Sequence, residues 1–239
     1  MVSDGRTLAG LGFLLVTAFG WGLNWPATKF LIATCPPLTA RGIAGIAASV
    51  GLAAVATARG EELSVPRGCR VRLVQAAALN VTAWMGLTTV SMLWLRAGQA
   101  ATLAYTMPVW AALVAWPVLN EPLTRSKILA LALGIGGICT LFAGTGFGIG
   151  DHQLPGAIIA LSAALLFAAG TALSKRWPLE MPPVATTAWQ VGLGCLPLLA
   201  ASCVFERPHL LKMPWFGWRA LGYTAAMSLG LCYLTWFAA

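Results

Sequence analysis

Hydrophobic residues occupy eight long runs of this chain, and short connections that carry most of the charged residues separate them. The runs cover residues 8–33, 38–58, 73–95, 97–119, 128–143, 155–177, 184–204 and 218–239. About 18 to 25 apolar residues match the hydrocarbon thickness of a bilayer. Because a helix satisfies its backbone polar groups within such a run, the pattern predicts an all-α, polytopic integral membrane helix bundle.

The composition agrees with a membrane location. Of the 239 residues, 59% are hydrophobic and only 9% are charged, whereas a soluble domain has about 25% charged residues. The net charge of +8 would suggest a nucleic-acid partner in a soluble protein. Here Lys and Arg fall mainly in the connections, where they contact lipid headgroups and determine topology. We therefore expect the lipid bilayer as a partner and no nucleic acid.

The distribution of Lys and Arg also predicts an orientation. With a cytoplasmic N-terminus, the inside connections hold nine of these residues and the outside connections hold six. Arg41 is counted among the outside six. The strongest element is the cluster at 59–72, close to the N-terminus, where orientation is usually established. We expect the N-terminus to be cytoplasmic.

The chain contains an internal repeat at an offset of 146 residues. This offset aligns about 47 residues without a gap and pairs a glycine, a lysine and a Pro-Pro step: Gly10 with Gly156, Lys29 with Lys175, and Pro36-Pro37 with Pro182-Pro183. The first repeat would span 8–143 with five helices, and the second, 155–239, would hold three. Because a repeat of five helices starts and ends on opposite sides of the membrane, the second copy would have the inverted orientation. Many secondary transporters have such inverted repeats. We expect a C-terminally truncated chain with about eight of ten helices.

Three local motifs stand out: the stretch WGLNWPATK in the first run, Arg41 at the start of the second run, and residues 97–138, in which a Glu-x-Leu-Thr turn precedes a Gly-rich run. Together they resemble the EamA-type members of the drug/metabolite transporter superfamily. WGLNWPATK resembles the family's Trp-Gly-Asn pattern, Arg41 resembles the basic residue that opens its second helix, and residues 97–138 resemble its fourth helix, the turn and the Gly-rich fifth helix. Asn120 and Pro122 depart from the commoner Gly-Glu-Arg form of that turn.

The resemblance implies a ten-helix carrier with cytoplasmic termini that exports or exchanges small metabolites, often amino acids or their relatives. A bacterial inner membrane is the expected location, and no cofactor is expected. A homo-oligomer is left open. So are two alternatives: a drug or sugar/nucleotide-sugar transporter of the same superfamily, and a membrane structural subunit that transports nothing.

The first run contains the polar and aromatic residues with the clearest chemical meaning. Pro26 lacks a backbone N–H, so one carbonyl in the preceding turn loses its donor. Asn24 offers amide donors and an acceptor, which are costly in lipid unless they meet a partner or water. Trp21 and Trp25 add aromatic faces. We predict that these residues line a solute cavity; the alternative is an ordinary interfacial belt that includes Lys29.

A second group of candidates lies in the fourth run. Pro108, near its middle, frees the carbonyl of Ala104, and interrupted helices at mid-membrane often mark transport sites. Tyr105 and Trp110 flank this position and are candidate cavity walls. The alternative is a packing kink without solute contact, because proline is common in membrane helices.

Three further candidates lie in the second repeat. Trp189 and Gln190 fall in the seventh run, where the Gln190 amide needs either a water-lined cavity or a bond to another helix. Thr171 occupies the position equivalent to Trp25.

The remaining polar residues disfavour catalytic and metal-dependent functions. All seven acids lie in or beside connections, so no mid-membrane carboxylate is present for proton-coupled export of lipophilic cations. Two histidines, no HExxH or GxSxG motif and no CxxC pair predict neither an enzyme nor a metal site. A neutral or zwitterionic small-molecule solute is the expected cargo.

Overall fold

The computed structural model describes residues 3–122, 124–143, 150–206, 210 and 213–238 of the protein, and within these residues every regular element is helical. The α-helices, numbered in chain order, are α1 Ser3–Ile32, α2 Pro37–Ala58, α3 Arg70–Ala77, α4 Trp84–Ser91, α5 Ala97–Ala104, α6 Met107–Leu119, α7 Arg125–Ala143, α8 Leu154–Arg176, α9 Pro183–Phe205, α10 Trp215–Tyr223 and α11 Cys232–Ala238.

Each of the eight predicted runs forms helix, and three of them are divided. A π-helical segment, Ala78–Ala83, joins α3 to α4, and a second one, Thr224–Leu231, joins α10 to α11. The fourth run breaks between α5 and α6. Within the described residues, five continuous helical stretches are long and apolar enough to cross a membrane: Pro37–Ala58, Arg67–Ser91, Ala97–Leu119, Asp151–Arg176 and Pro183–Phe205. The predicted polytopic helical bundle is confirmed.

The break in the fourth run and the end of α6 have local causes. Pro108 stands at the start of α6, where a missing backbone N–H costs nothing. Asn120 ends α6 with φ 54°, a left-handed conformation that asparagine tolerates better than most non-glycine residues. This explains why asparagine serves where the resembled motif commonly has glycine. Leu123 of the same turn lies outside the described residues, as do Arg207, Lys212 and Ala239.

The chain forms two compact units, each described by itself. The first unit combines Met1–Arg67 with Met181–Ala239 and contains α1, α2, α9, α10 and α11. The second unit is Gly68–Glu180 and contains α3 to α8.

The first unit is organised around close packing of α2 against α9. A Cβ atom added to Gly45 would overlap the sulfur of Cys195, and one at Gly42 would come within 2.9 Å of the Cβ of Leu199. Ser49 Oγ donates to the carbonyl of Ala188 at 2.8 Å. Along these contacts the residue numbers increase on α2 and decrease on α9, so the two helices are antiparallel. Their backbones approach each other through small residues.

Carboxylates from the ends of this pair cap the opposite helices. Glu206, just beyond α9, accepts the backbone N–H of Leu38 at 2.9 Å and that of Thr39 at 2.8 Å. Glu61, just beyond α2, accepts the N–H of Ala185 at 2.9 Å. Helix N-termini carry unpaired N–H groups and a partial positive charge, so each carboxylate stabilises the start of the neighbouring helix.

The second unit is organised around α8, which packs against α4, α5 and α6. Small residues again permit close approach: a Cβ at Gly156 would come within 2.8 Å of the carbonyl oxygen of Ser91, and one at Gly170 would overlap the Asn80 amide oxygen. Near the start of α8, Gln153 and Gln99 exchange two amide hydrogen bonds of 3.2 Å. Helix contact and amide pairing therefore hold α8 along its length.

An ion cluster joins the connection after α6 to α7 and to the end of α8. Glu121 Oε2 lies 3.0 Å from Lys127 Nζ, and Glu121 Oε1 lies 2.8 Å from Lys175 Nζ. Arg176 donates to the carbonyl of Val118. The hydrogen bonds from Lys175 and then Lys127 lower the pKa of Glu121 to about 2. The cluster is exposed, so its energetic contribution is modest.

We expect the Glu121 contribution to stability to disappear in acid. A depressed pKa in the folded state means that stabilisation is present above the ordinary value of 4.5 and is lost as the pH falls through about 2. Glu121→Gln should therefore melt below the unchanged protein at pH 7, and the two should converge near pH 2. Glu62→Gln, whose carboxylate accepts from the nearby Ser64 hydroxyl, is the control. A constant difference at every pH would contradict the assignment.

We expect Gly45→Val to destabilise the first unit by about 1 to 3 kcal/mol, because the new side chain would overpack the contact with Cys195. Gly51→Val is the matched control on the same helix, since a Cβ there meets nothing within 4 Å. Thermal unfolding in detergent measures the effect. Equal melting temperatures for the two variants would show that the close α2–α9 contact is not needed.

Candidate solute-binding site

The polar residues predicted on α1 lie within the first unit, and their helix remains continuous through Pro26. Trp21 and Asn24 are half-buried, while Trp25 is buried at 8% exposure. The hydroxyl of Thr28, one turn after Asn24, donates to the Asn24 amide oxygen at 3.4 Å. One side of α1 therefore presents amide, hydroxyl and indole groups to other elements of the first unit.

A buried arginine lies at the centre of this group. Arg41, on α2, is only 5% exposed, and its Nη2 donates to Thr28 Oγ1 at 3.0 Å. Because a hydroxyl both accepts and donates, Thr28 connects the guanidinium to the amide of Asn24 in one chain of hydrogen bonds. Charged groups within a membrane bundle are costly and commonly functional.

Aromatic residues flank this polar chain. The indole Nε1 of Trp21 donates to the carbonyl of Ser228 at 3.1 Å, and its ring meets Tyr233 edge-on with centroids 5.6 Å apart. Tyr233 and Cys195 lie close enough to interact electrostatically with the Arg41 guanidinium. We call Trp21, Asn24, Thr28, Arg41 and Tyr233 the polar cluster.

The structure corrects the charge count at Arg41. That count assigned Arg41 to an outside connection as a topology signal, whereas the second run and the motif resemblance placed it at the start of the second helix. Arg41 lies inside α2 and is buried against α1. The reason is geometric: α2 begins at Pro37, so Arg41 is already one turn into the helix and turns inward. Arg41 is the single Lys or Arg within α2, and this isolation in an apolar run is a sequence signal that could have indicated its burial. Thr28 and Tyr233 carry no comparable signal.

An open groove lies beside α2 in the same unit. It has a volume of about 500 Å³, and the residues that line it are apolar or small: Ala47, Ala48, Gly51, Leu52, Val55, Gly222, Ala225, Ala226, Gly230, Leu231 and Leu234. A Cβ added at Gly51 or Gly222 meets nothing within 4 Å, so both glycines face open space. The groove is large enough for a small organic molecule.

The two candidates on α9 also belong to the first unit. Trp189 is 38% exposed, and its indole donates to the carbonyl of Leu63 at 2.9 Å, in the connection that follows α2. Gln190 is half-buried. The described hydrogen bond of Trp189 therefore goes to a connection rather than to the polar cluster.

The remaining candidates lie in the second unit, at the break between α5 and α6 and on α8. Tyr105 is 48% exposed, Pro108 is exposed, and the indole of Trp110 donates to Thr106 Oγ1 at 3.1 Å. The predicted interruption near Pro108 is present. Thr171 is exposed, and its hydroxyl donates to the Phe167 carbonyl one turn earlier in α8.

The polar cluster provides amide, hydroxyl, aromatic and guanidinium groups. Within the part of the chain that the structure describes, no group of three or more His, Cys, Asp or Glu side chains is arranged to hold a metal ion. The groups of the polar cluster can accept and donate hydrogen bonds, stack on flat groups and attract negative charge.

The bundle of long apolar helices defines a polytopic membrane protein. The comparisons with known proteins are more specific. The EamA-like transporter family matches residues 8–143 and 154–239, so the chain belongs to this family. The resemblance inferred from the motifs on the first run and on 97–138 is thereby confirmed.

Two of the relatives of known sequence are also described as transporters. The chain is 32% identical to the uncharacterized transporter YvbV of Bacillus subtilis (strain 168), covering 81% of this chain and 62% of YvbV. It is 26% identical to the uncharacterized transporter YoaV of the same organism, over 95% of this chain and 77% of YoaV. Protein PecM of Dickeya dadantii (strain 3937) is 25% identical, over 91% and 71%. The chain thus spans about three fifths of the length of YvbV.

A solved crystal structure of a protein shares the fold. Its TM-score is 0.68 over 98% of this chain and 78% of that chain, at 18% sequence identity. This likeness concerns the arrangement of helices.

We expect Thr28→Val to destabilise the protein by about 1 to 3 kcal/mol. This nearly isosteric change removes the hydroxyl oxygen that accepts a hydrogen bond from the buried Nη2 of Arg41. Thr57→Val, an exposed position whose hydroxyl donates to the Ala54 carbonyl, is the control. Both are compared by thermal unfolding in detergent. A Thr28→Val protein that melts with the control would show that the hydrogen-bonded chain through Thr28 contributes nothing.

Proposed function

We propose that this protein acts as a secondary transporter that exports small neutral or zwitterionic metabolites, such as amino acids or their derivatives. The observation that carries the proposal is the polar cluster, which groups an amide, a hydroxyl, an indole, a phenol and a guanidinium within apolar helices. These are the groups that would replace water around a polar organic solute. Membership of the EamA-like transporter family supports the same activity.

Three of the predicted site residues take part in this proposal through α1. Asn24 and Trp21 belong to the polar cluster, and Trp25 is buried one residue further along. In the second unit, Tyr105, Pro108 and Trp110 remain candidates because they surround a helix interruption, where freed carbonyls can bind solute. Trp189, Gln190 and Thr171 also remain candidates, with weaker structural support.

Alternating access between two inverted repeats is the proposed cycle. α2 and α9 both begin at the second residue of a Pro-Pro pair, 146 residues apart, and the two π-helical segments begin at Ala78 and Thr224, again 146 residues apart. The antiparallel packing of α2 against α9 is the relation that inversion requires of equivalent helices. These features support repeats at 8–143 and 155–239. The bacterial relatives support a location in a bacterial inner membrane, and the Lys and Arg distribution favours a cytoplasmic N-terminus.

We expect Asn24→Leu to reduce solute flux at least about tenfold, because the apolar side chain removes the amide that would bind solute within the bundle. Proteoliposomes containing the purified protein would be loaded with radiolabelled leucine, phenylalanine or threonine, and efflux would be followed over time.

Two comparisons make the result interpretable. Thr140→Val, at an exposed position of α7 whose hydroxyl donates to its own helix, should transport as the unchanged protein does. Thermal unfolding would establish that Asn24→Leu is folded. Normal flux through a folded Asn24→Leu protein would remove Asn24 from the solute site. Absence of flux of all three amino acids through the unchanged protein would contradict the proposed cargo.

A further inference from the structure

We propose that Asn80 and Ser174 form a second polar site, within the second unit, that binds a hydrogen-bond-donating group of the solute. When the solute is an amino acid, this group is the amino group. The inference rests on the proposed function and deepens it, because it adds binding residues and names the part of the solute that they recognise.

The Asn80 side chain carries an acceptor that the protein leaves unsatisfied. Asn80 lies in the π-helical segment Ala78–Ala83, near the middle of the helical stretch Arg67–Ser91. Its Nδ2 donates to Ser174 Oγ on α8 at 3.4 Å. Its Oδ1 is buried and has no hydrogen-bond partner among the residues that the structure describes. A buried acceptor without a donor is unfavourable, and native proteins contain few of them. Single π-helical turns are also frequent at functional sites.

The internal repeat relates this pair to the polar residues of α1. The offset of 146 residues pairs three positions of the two units: Thr28 with Ser174, Asn24 with Gly170, and Ala226 with Asn80. In both units, an amide atom lies 3.4 Å from the hydroxyl oxygen at the same repeat position. The amide belongs to α1 in the first unit and to the π-helical segment in the second. Each unit therefore pairs one amide with one hydroxyl, although the amide comes from a different helix of the repeat.

Gly170 explains how the amide can come from the other helix. A Cβ atom added to Gly170 would overlap the Asn80 amide oxygen. The Asn80 amide therefore occupies space beside α8 that a side chain at position 170 would need, and position 170 is the equivalent of Asn24. Because one amide replaces the other beside the equivalent helix, the solute contact proposed for Asn24 extends to Asn80.

The space beside this pair is suited to one small polar group. Gly170 and Ser174 line a narrow crevice together with Gln75 and Leu79, and its free volume of about 10 Å³ is enough for roughly one water-sized group. An amino or hydroxyl group has this size, whereas a whole metabolite does not. The charged residue that lines the crevice is Arg72, which is exposed and about 12 Å along the helix from Asn80.

α8 covers the Asn80 oxygen in this structure, so binding requires a local rearrangement. A solute donor reaches the oxygen when the amide rotates about its last torsion, whose energy wells are broad, or when α8 moves away. The donor then supplies the hydrogen bond that the oxygen lacks here, and the solute stabilises the rearranged state. An ammonium group forms a stronger hydrogen bond to an oxygen than an uncharged donor does, which favours the amino group of an amino acid.

Three probes with the same isobutyl group and carboxylate isolate the contribution of the donor: leucine, 2-hydroxy-4-methylpentanoate and 4-methylpentanoate. The last two have the same charge and differ by a single hydroxyl donor. Dissociation constants would be measured by isothermal titration calorimetry with the full chain in lipid nanodiscs. Relative to 4-methylpentanoate, we expect leucine to bind at least about tenfold and the hydroxy acid at least about threefold more tightly.

Two variants connect this preference to the proposed site. Asn80→Leu keeps the side-chain volume and removes the amide. It should weaken binding of leucine about tenfold and of the hydroxy acid about threefold, and leave binding of 4-methylpentanoate unchanged. Ser174→Ala, which removes the hydrogen-bond partner of the Asn80 amide, should cause a smaller loss with the same pattern. Thr102→Val is the control in the second unit, since this exposed hydroxyl donates to the Gly98 carbonyl of its own helix.

A purely structural role of Asn80 would weaken all three probes alike, so the pattern across the probes is decisive. The inference is overturned if no probe binds at millimolar concentration, or if the hydroxy acid and 4-methylpentanoate bind the unchanged protein equally. It is also overturned if folded Asn80→Leu keeps the preference or loses all three probes to the same extent. Should Asn80→Leu fail to fold, Ser174→Ala decides by the same criterion.

Flux measurements separate this inference from the proposed function. If Asn80→Leu loses the preference but the unchanged protein transports none of leucine, phenylalanine and threonine, the site stands and the proposed function is contradicted. If the unchanged protein transports leucine and folded Asn80→Leu keeps the preference, the proposed function stands and the site is contradicted.

Discussion

Hydrocarbon offers no hydrogen bonds, and the need to satisfy every backbone polar group within it governs this structure. Helices meet the need internally, but each helix start exposes N–H groups that require a partner. In the first unit these partners are carboxylates: Glu206 serves the start of α2, and Glu61 serves the start of α9. Two of the seven acids in the chain thus act as reciprocal caps for one antiparallel pair. Their location beside connections therefore has a structural reason.

Close helix packing follows from the same constraint. Where lipid and side chains are equally apolar, helices associate through close contact rather than through water exclusion. Gly42 and Gly45 provide that contact with α9, and Gly156 and Gly170 provide it for α8 in the second unit. Other glycines, such as Gly51, instead border open space along the groove. Glycines of the first unit therefore lie both at close helix contacts and beside open space.

The polar cluster contains Arg41, a charged side chain that is buried within the first unit. An arginine, an asparagine and a threonine are connected by hydrogen bonds in a place where each would be costly alone. Such a network adds specificity to the packing of α1 on α2. Under the proposed function, the same groups would also bind a polar solute.

The sequence by itself determined the helical class, the eight runs, the interruption at Pro108 and the family, because hydrophobic runs, prolines and local motifs act over neighbouring residues. It also identified Trp21 and Asn24 as unusual in an apolar helix. Only the tertiary structure decided that Arg41 is buried against Thr28, and that Glu206 caps a helix 168 residues away. It also revealed the π-helical segments, which carry no sequence signal of their own. The physical reason is that a residue's neighbours depend on helix rotation and on long-range packing, and neither is encoded in the local pattern of apolar and polar positions.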